Sequence, residues 1–424
     1  MSDMMQESGI EWIGQIPQGW EVRPIKFSAQ LCTIPRGESD ERSLPYVALE
    51  HIQSFTGKLV GQTTEPVEVD SNTNLFDSSM ILFGKLRPYL TKVFKPDRSG
   101  HCSTEFLCIR PVKYSRNYLF WLLLNGQLIQ VINAQSYGVK MPRTSWSQLG
   151  QVAAPVPPIS EQEKISEFLD CEVGKADHTI ELISQQIETL MACKKSLIYE
   201  VVTKGLDPSI PVKPSGVEWI GDIPSHWRVT RVKYIAPAWN GLTYDPADVS
   251  DTGTPVLRSG NIQNGLLDLR DLVHVSGKVP EKAKAHTGDI LICSRNGSRH
   301  LIGKNALVRN EGFAFGAFMM IARPRVSSPY FHYLLNSGVF DFYLPTYLTS
   351  TVNQLTGTNF GNMVVPIVDD PVEQDSIVRE LDRRCAAFDS AIAKKRTQLS
   401  LLEQHKKSLI FEYVTGKRRV SEVA

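Results

Sequence analysis

The stretch SGIEWIGQIPQGWEV at residues 8–22 returns almost unchanged as SGVEWIGDIPSHWRV at residues 215–229. Over the 19 positions that begin at Ser8 and Ser215, eleven residues are identical, and they include two tryptophans in each copy. A separation of 207 residues between the copies is far too long for a propeller blade or a solenoid repeat. The spacing therefore predicts that the chain of 424 residues consists of two related, domain-sized halves.

A second repeat lies at the far end of each half. The segment KKSLIYEVVT at residues 194–203 reappears as KKSLIFEYVT at residues 406–415, with eight of ten positions identical. Around each copy, mostly apolar side chains recur in alternating steps of four and three residues, which is the heptad spacing of a coiled coil. The positions are Ala176, Ile180, Ile183, Ile187, Leu190, Lys194, Leu197 and Val201 in the first half and Phe388, Ile392, Lys395, Leu399, Leu402, Lys406, Leu409 and Tyr413 in the second.

This spacing predicts two long helices, at residues 160–204 and 371–416. Ser160 opens a sequence that is typical of a helix-capping box, and Gly205 and Gly416 supply the stops. Each helix would be about 60 Å long. Because a seam of that length needs another long helix beside it, we expect the two to pack in antiparallel orientation. The alternative is that each helix packs on its own domain.

The regions between the repeats share a frame but differ in sequence. ILFGKLRPYL at residues 81–90 parallels ILICSRNGSR at residues 290–299, and both regions contain short β-branched runs and one apolar helix. The expected fold class is α+β, with two globular domains joined and separated by two long antiparallel coiled-coil helices in a pseudo-twofold repeat. The predicted bounds are residues 1–159 and 215–370 for the globular domains, 160–204 and 371–416 for the helices, 205–214 for a linker and 417–424 for a basic tail.

Composition limits the class of protein. The formal net charge is +1 and 42% of residues are hydrophobic, so each half can bury a core, and indiscriminate binding of polyanions is not expected. The sequence has no apolar run long enough for a membrane span and no signal peptide. Its seven cysteines form no C-x-x-C pair. We therefore expect a reduced, cytoplasmic protein without a structural metal.

Positive charge is concentrated at equivalent places in both halves. Residues 81–143 hold ten Lys or Arg against two acidic residues, and residues 278–325 hold nine against three. Such a run is commonly a solvated surface, but its recurrence among aromatic and amide side chains favours DNA binding. The candidate DNA contacts are Lys85, Arg87, Tyr89, Lys92, Lys140 and Arg143 in the first half and Asn261, Arg295, Asn296, Arg299, Lys304, Asn353, Gln354 and Asn359 in the second.

Two kinds of contact are expected among these residues. Arg87 and Arg295 each follow an apolar strand-like run that could fix the loop, so we assign them to base reading. Lys92 and Lys304 are assigned to phosphate contact.

The sequence contains no defensible catalytic motif. GSRHLIGKN at residues 297–305 has one residue too many between its glycines for a phosphate loop, and it ends in Asn305 where Ser or Thr would hold magnesium. Asp97 and Glu105 resemble the carboxylates of metal-dependent nucleases, but Leu107 occupies the place of the expected lysine. No Asn-Pro-Pro-Tyr or Asp-Pro-Pro-Tyr tetrapeptide for adenine methylation occurs. We therefore expect a chain that is not itself an enzyme and holds no catalytic or metal site.

Together these features resemble the specificity subunit of a Type I restriction-modification enzyme over nearly the whole chain. The resemblance rests on the twofold SG(I/V)EWIG(Q/D)IP…W segment, the PVPPISEQEKI entry to the first long helix, the paired KKSLI endings, and GKLRPYL, CSTEF and GVKMPRTSW in the first half. The entry to the second helix, VPIVDDPVEQDSIV, departs from the Pro-Pro form of the family.

The resemblance implies two target recognition domains, each of which reads one half of a bipartite, asymmetric DNA site, and helices that set the spacer. It implies two methyltransferase subunits that bring S-adenosylmethionine, and two motor-nuclease subunits that bring ATP hydrolysis and magnesium, while this chain holds no cofactor. Three alternatives stay open. They are a recognition subunit of a related methyltransferase system without the motor, a free-standing nuclease and a coiled-coil scaffold with no role in DNA binding.

Overall fold

The computed structural model describes residues 4–34, 44–60, 73–138, 140–348 and 353–420. The chain forms two compact units. Unit 1 contains Met1–Ser184 and Thr397–Ala424, and unit 2 contains Gln185–Arg396. Both boundaries fall inside long helices, so each unit consists of one globular domain and a section of each helix.

The two long helices are Ile159–Lys204 and Pro371–Val414. Every side chain that the heptad spacing placed in the seam is buried or half-buried. Within unit 1, Phe168 lies 4.3 Å from Tyr413, measured between ring centroids. Further along the same pair of helix sections, Asp177 contacts Lys406. Because one residue number rises as the other falls, the sections run antiparallel, as the sequence predicted.

The first helix is not capped as the sequence predicted. The Pro158 carbonyl accepts hydrogen bonds from the backbone N–H groups of Glu161 and Gln162 at 2.9 and 3.0 Å, so the first helix begins directly after Pro158. Ser160 therefore lies inside the first turn, and the predicted capping box at Ser160 is wrong. Proline fits this place because helix starts leave backbone N–H groups without partners, and Pro158 has none to satisfy.

The second helix starts with a side-chain cap. Asp370 Oδ1 accepts a hydrogen bond from Val372 N at 3.0 Å, and Pro371 is the first helical residue. Both helices end at glycines with left-handed backbone, Gly205 at φ +75° and Gly416 at φ +70°, as the sequence predicted.

In unit 1 a four-stranded antiparallel sheet forms the frame of the globular domain. Its strands, in spatial order, are Ala29–Leu31, Phe106–Pro111, Ile81–Gly84 and Val93–Phe94. The described part of unit 1 also contains a three-stranded sheet, two strand pairs, three short α-helices and three 3₁₀ turns. The three-stranded sheet has the order Tyr46–Val47, Gly100–Ser103 and Thr73–Phe76, and the strand pairs are Met5–Glu7 with Gln15–Pro17 and Glu21–Pro24 with Ala153–Val156. The α-helices are Arg116–Leu124, Gly126–Ala134 and Trp146–Leu149. The 3₁₀ turns are Ile25–Phe27, Leu49–His51 and Pro88–Leu90.

Unit 2 repeats this frame. Its four-stranded sheet has the order Ala238–Asn240, Met319–Ala322, Ile290–Cys293 and Asn305–Leu307. A five-stranded sheet stands where the described part of unit 1 has three strands. Its order is Val249–Ser250, Val273–Val275, Thr254–Leu257, Phe313–Phe315 and Lys284–Ala285.

The remaining elements of unit 2 are three strand pairs and several short helices. The pairs are Val212–Pro214 with Asp222–Pro224, Arg228–Arg231 with Val364–Ile367, and Ile262–Gln263 with Leu266–Leu267. The helices and turns are Val232–Ile235, Pro246–Asp248, Ser259–Asn261, Glu281–Ala283, Arg299–Leu301, Ser328–Leu334, Leu335–Val339, Phe340–Tyr347 and Gly357–Asn362.

The repeated tryptophan segment has the same task in both units. In unit 1, Trp20 Nε1 donates to Glu161 Oε2 at 3.0 Å, and a Cβ at Gly416 would collide with Pro17 at 2.3 Å and lie 3.0 Å from the Trp20 ring. In unit 2, Trp227 Nε1 donates to Glu373 Oε1 at 2.9 Å. Each segment thus holds the first turn of one long helix, and in unit 1 the same tryptophan also packs against the end of the other helix.

Buried amides fix each helix to its globular domain. Gln162 accepts from Ser115 N at 2.6 Å and donates to the Pro157 carbonyl at 2.8 Å. Gln374 repeats this arrangement, because it accepts from Ser327 N at 2.9 Å and donates to a carbonyl at 2.8 Å. Both amides are buried, so losing either would leave polar groups without partners. Among the described residues, no helix is long and apolar enough to cross a membrane.

Replacing Lys406 by methionine should lower the free energy of unfolding of unit 1 by about 1–3 kcal/mol. The Lys406 and Asp177 side chains are 11% and 15% exposed, and their charged atoms lie 2.6 Å apart. The change therefore leaves the largely buried Asp177 carboxylate with Lys58, a more exposed and weaker partner. The matched change Lys194→Met in unit 2 should cost less than about 1 kcal/mol, because its partner Asp389 is 60% exposed. Urea denaturation followed by circular dichroism measures both; equal losses would contradict this assignment.

The same carboxylate should make unit 1 sensitive to acid. Burial by itself would raise the pKa of Asp177, but hydrogen bonds and charge from Lys406 and Lys58 outweigh it and hold the pKa below 3.8. A depressed pKa contributes stability above the pKa of the unfolded state, and this contribution is lost as the pH falls through the folded-state value. The stability difference between the wild type and Asp177→Asn should therefore shrink below about pH 4. A difference that stayed constant down to pH 2 would argue against the ion pair.

Candidate nucleic-acid interface

In unit 1 the two predicted recognition loops lie side by side. The loop after strand Ile81–Gly84 pairs with the segment at residues 137–144, because Thr144 N donates to the Lys85 carbonyl at 3.0 Å and Arg87 N donates to the Pro142 carbonyl at 2.7 Å. Sequences more than 50 positions apart therefore form one surface. We call these two segments, residues 85–87 and 140–144, the loop pair of unit 1.

Arg87 has an unusual backbone in this loop pair. Its φ is +50°, in the left-handed region, and a 3₁₀ turn at Pro88–Leu90 follows directly. A non-glycine residue with this backbone is uncommon and marks a position that the surrounding contacts hold in place. Arg87 is half-buried, whereas Tyr89, Lys140 and Arg143 are exposed.

A turn that sequence reasoning missed lies against the loop pair. Glu105 precedes strand Phe106–Pro111, and its backbone carbonyl accepts a hydrogen bond from Lys85 N at 2.8 Å. Its carboxylate pairs with Arg143 Nη2 at 2.7 Å. In sequence, Glu105 is one of only two acidic residues in this basic run, and it resembles a nuclease carboxylate. The structure instead uses Glu105 to orient Arg143.

Lys92 is less available than expected. It is half-buried, and its ammonium donates to the Leu49 carbonyl at 2.6 Å. An ammonium has three donors, so this bond leaves capacity for a phosphate, and the phosphate assignment of Lys92 stays a prediction.

Unit 2 builds the same loop pair with different side chains. Leu355 N donates to the Ser294 carbonyl at 2.7 Å, and the backbones of Arg295 and Gln354 form an isolated antiparallel β-bridge. The turn residue here is Phe318, whose carbonyl accepts from Ser294 N and Arg295 N at 3.0 and 3.1 Å. The Arg295 guanidinium carbon lies 5.1 Å from the centre of the exposed Phe318 ring.

The other candidates of unit 2 lie around this loop pair and contact its backbone or neighbouring segments. Asn353 donates to the Gly297 carbonyl at 3.3 Å, Asn296 to Ser259 Oγ at 3.3 Å, Arg299 to the Leu348 carbonyl at 3.3 Å, and Lys304 to the Ser259 carbonyl at 3.5 Å. Asn359 lies in helix Gly357–Asn362, which follows the second segment of the loop pair. Arg299 is exposed and the remaining four are half-buried.

Asn261 is a correction. It is 3% exposed, and its amide accepts from Arg258 N at 2.9 Å while donating to the carbonyls of Asp268 and Asp271 at 3.0 and 2.8 Å. With both the oxygen and the nitrogen engaged, this side chain braces its own loop and is not free for DNA. Sequence alone could not distinguish a bracing amide from a reading one, because both belong to polar loops.

Local ion pairs neutralise several other cations of the two basic runs. Arg110 pairs with Asp77 at 2.7 Å, and the buried Asp289 carboxylate accepts from Arg323 at 2.7 Å. Among the described residues, no group of three or more His, Cys, Asp or Glu side chains could hold a metal ion.

These surfaces define a class of protein. Each unit carries one loop pair at the end of the two central strands of a four-stranded sheet, with equivalent backbone hydrogen bonds and different side chains. Arg, Lys, Asn and Gln are the side chains that contact base edges and phosphates. The chain is thus a protein of two related domains with two similar but non-identical candidate nucleic-acid surfaces.

Comparison with known proteins shows which proteins this chain is similar to. Residues 17–191 match the family model of the Type I restriction modification DNA specificity domain. The chain is 22% identical to the Type I restriction enzyme MjaVIII specificity subunit of Methanocaldococcus jannaschii, over 96% of this chain and 95% of that relative. It is 30% identical to the EcoDI specificity subunit of Escherichia coli, over 45% of this chain and 42% of the relative.

A solved structure supports the fold. A chain from work on complex assembly and conformational transition of the type I R-M system has a TM-score of 0.70 to this one, over 95% of this chain and 99% of that chain, at 19% identity. By these matches, residues 17–191 are similar to the Type I restriction modification DNA specificity domain, and the chain over most of its length is similar to a Type I restriction enzyme specificity subunit.

Replacing Lys140 by alanine should weaken binding to all DNA sequences about equally and lower the slope of log affinity against log salt by about one. Lys140 is exposed in the second segment of the loop pair of unit 1, and we assign it to phosphate contact because a lysine ammonium binds phosphate as a point charge. Fluorescence anisotropy over a range of salt concentrations measures the slope. Lys213→Ala is the matched control, because Lys213 is equally exposed but lies on the strand Val212–Pro214, outside either loop pair. Loss of selectivity at one base position would contradict the phosphate assignment.

Proposed function

We propose that this chain is the DNA sequence-specificity subunit of a Type I restriction-modification complex, in which each globular domain reads one half of a bipartite, asymmetric site. The observation that carries the proposal is the duplicated loop pair. Both units keep the backbone bond between the two loops, Thr144 N to the Lys85 carbonyl and Leu355 N to the Ser294 carbonyl, while the projecting side chains differ. Equal frames with unequal side chains suit two half-sites of different sequence.

The chain acts by recognition and carries out no chemistry itself. Exposed lysines near the loop pairs supply attraction to phosphate that does not depend on sequence. Arginines and amides on the loop pairs supply hydrogen bonds to base edges in the major groove, where the four base pairs differ. The loops are bonded to a sheet and to each other, so little conformational entropy is lost when they meet DNA.

The long helices would set the distance between the half-sites. Each is one continuous element that contributes a section to both units, and half-sites read from one face of B-DNA lie about 34 Å apart. We further propose that the helices dock two methyltransferase subunits with S-adenosylmethionine, and that two motor-nuclease subunits bring ATP and magnesium. The two tryptophan-held helix ends offer equivalent seats for identical partners.

A domain exchange tests this function. Replacing residues 27–150 with the matching region of a relative should change one half of the methylated site and leave the other half and the spacer unchanged. These bounds keep strands Glu21–Pro24 and Ala153–Val156 paired, and they leave the first long helix intact. Sequencing that maps N6-methyladenine in cells with the methyltransferase partner reads the outcome.

The reciprocal exchange, residues 234–361, is the control and keeps strands Arg228–Arg231 and Val364–Ile367 paired. It should change the opposite half. If either exchange altered both halves, the two domains would not be independent readers.

A further inference from the structure

Glu105 and Phe318 occupy the same position in the two units. Each immediately precedes the second strand of its four-stranded sheet, and that strand pairs with Ile81–Gly84 in unit 1 and with Ile290–Cys293 in unit 2. Each also uses its backbone carbonyl to hold the first segment of the loop pair. The backbone at this position is therefore shared, and the side chain is what differs.

In both units this side chain engages an arginine. Glu105 holds Arg143 through an ion pair at 2.7 Å, and Phe318 lies beneath the guanidinium of Arg295 at 5.1 Å. A planar guanidinium stacked on an aromatic ring keeps its hydrogen-bonding fork pointing outward and gives up little solvent contact. The position thus decides how an arginine is presented.

Besides orienting Arg295, Phe318 exposes an apolar ring. Its ring is 59% exposed although it lies on a surface otherwise rich in Arg, Lys and Asn. A single exposed apolar residue is ordinary. Here, however, the exposed ring and the guanidinium are stacked on one another, and their two backbones are bonded together. An apolar surface and a bidentate donor are therefore offered to a ligand at a fixed separation.

We propose that Arg295 and Phe318 together read a guanine and the thymine beside it. The Arg295 fork donates to O6 and N7 of the guanine, and the Phe318 ring covers the C5-methyl group of the thymine. All three groups lie in the major groove, and neighbouring bases are about 3.4 Å apart along one strand. This inference rests on the proposed function and narrows it to one step within the half-site of unit 2.

Unit 1 should lack this preference. Glu105 offers a carboxylate at the equivalent position, and that carboxylate is engaged by Arg143. A methyl group gains nothing against a charged oxygen, so thymine methyl groups in the half-site of unit 1 provide an internal control.

The test removes single methyl groups from the DNA. Sequences that the purified full-length chain binds are first selected from a randomised duplex library, and the half-site that loses selection with Arg295→Ala is assigned to unit 2. Each thymine of both half-sites is then replaced in turn by deoxyuridine. One deoxyuridine beside a guanine of the unit 2 half-site should weaken binding about threefold to fivefold, the effect of one buried methyl group.

Variants separate the two residues. Phe318→Ala should bind the thymine and deoxyuridine forms equally, whereas Phe318→Leu should keep part of the difference. Arg295→Lys keeps the charge but loses the fork, so selection for the guanine should fall about tenfold or more while the salt slope stays unchanged. Circular dichroism and unchanged binding at the half-site of unit 1 establish that each variant is folded.

The outcomes are distinct. If the wild type selects a sequence but ignores every deoxyuridine, or if Phe318→Ala still distinguishes thymine from deoxyuridine, this inference is wrong and the proposed function stands. If Phe318→Ala leaves DNA binding untouched altogether, the exposed ring serves another contact and the inference also fails. A chain that selects no sequence would overturn both proposals.

Discussion

The antiparallel register of the two long helices, marked in each unit by a lysine–aspartate pair, is the constraint on which the rest of the structure depends. Lys406 meets Asp177 in unit 1 at 2.6 Å, and Lys194 meets Asp389 in unit 2 at 2.7 Å. Lysine and aspartate stand at the same two positions of each repeat, so each repeat gives a lysine to one pair and an aspartate to the other. Two helices with a purely apolar seam can slide past each other by a heptad at modest cost. A shift of these two helices would instead leave the charged side chains of the seam without their partners.

This register matters because each unit contains a section of both helices. A slip of one helix against the other would separate Trp20 from the first turn of the helix Ile159–Lys204 or from the end of the helix Pro371–Val414. It would also pull Asp170, which accepts from Trp121 Nε1 at 2.9 Å, out of place. In unit 2, Asp382 accepts from Tyr333 at 2.6 Å in the equivalent position. The globular domains are thus attached to the helices by polar contacts that require one alignment.

A shared frame with interchangeable surface follows from this attachment. The four-stranded sheets, the buried glutamines and the tryptophan–glutamate hydrogen bonds recur in both units. Side chains on the loop pairs carry few of these contacts, so they can differ without loss of the fold. Glu105 and Phe318 illustrate the point, because they share a backbone role while one offers a carboxylate and the other an aromatic ring. Stability and recognition are therefore assigned to different residues.

The sequence by itself determined the duplication, the two long helices and their antiparallel seam, because each of these is written as a periodic or repeated pattern of neighbouring residues. It also located the basic loops, since charge and loop-forming residues are local properties. Tertiary structure alone decided that Asn261 is buried and satisfied, that Lys92 donates to the Leu49 carbonyl, and that Glu105 and Phe318 stand at equivalent places. These facts depend on contacts between residues far apart in the chain, and the direction of a side chain in a loop is set by those contacts and not by its neighbours in sequence.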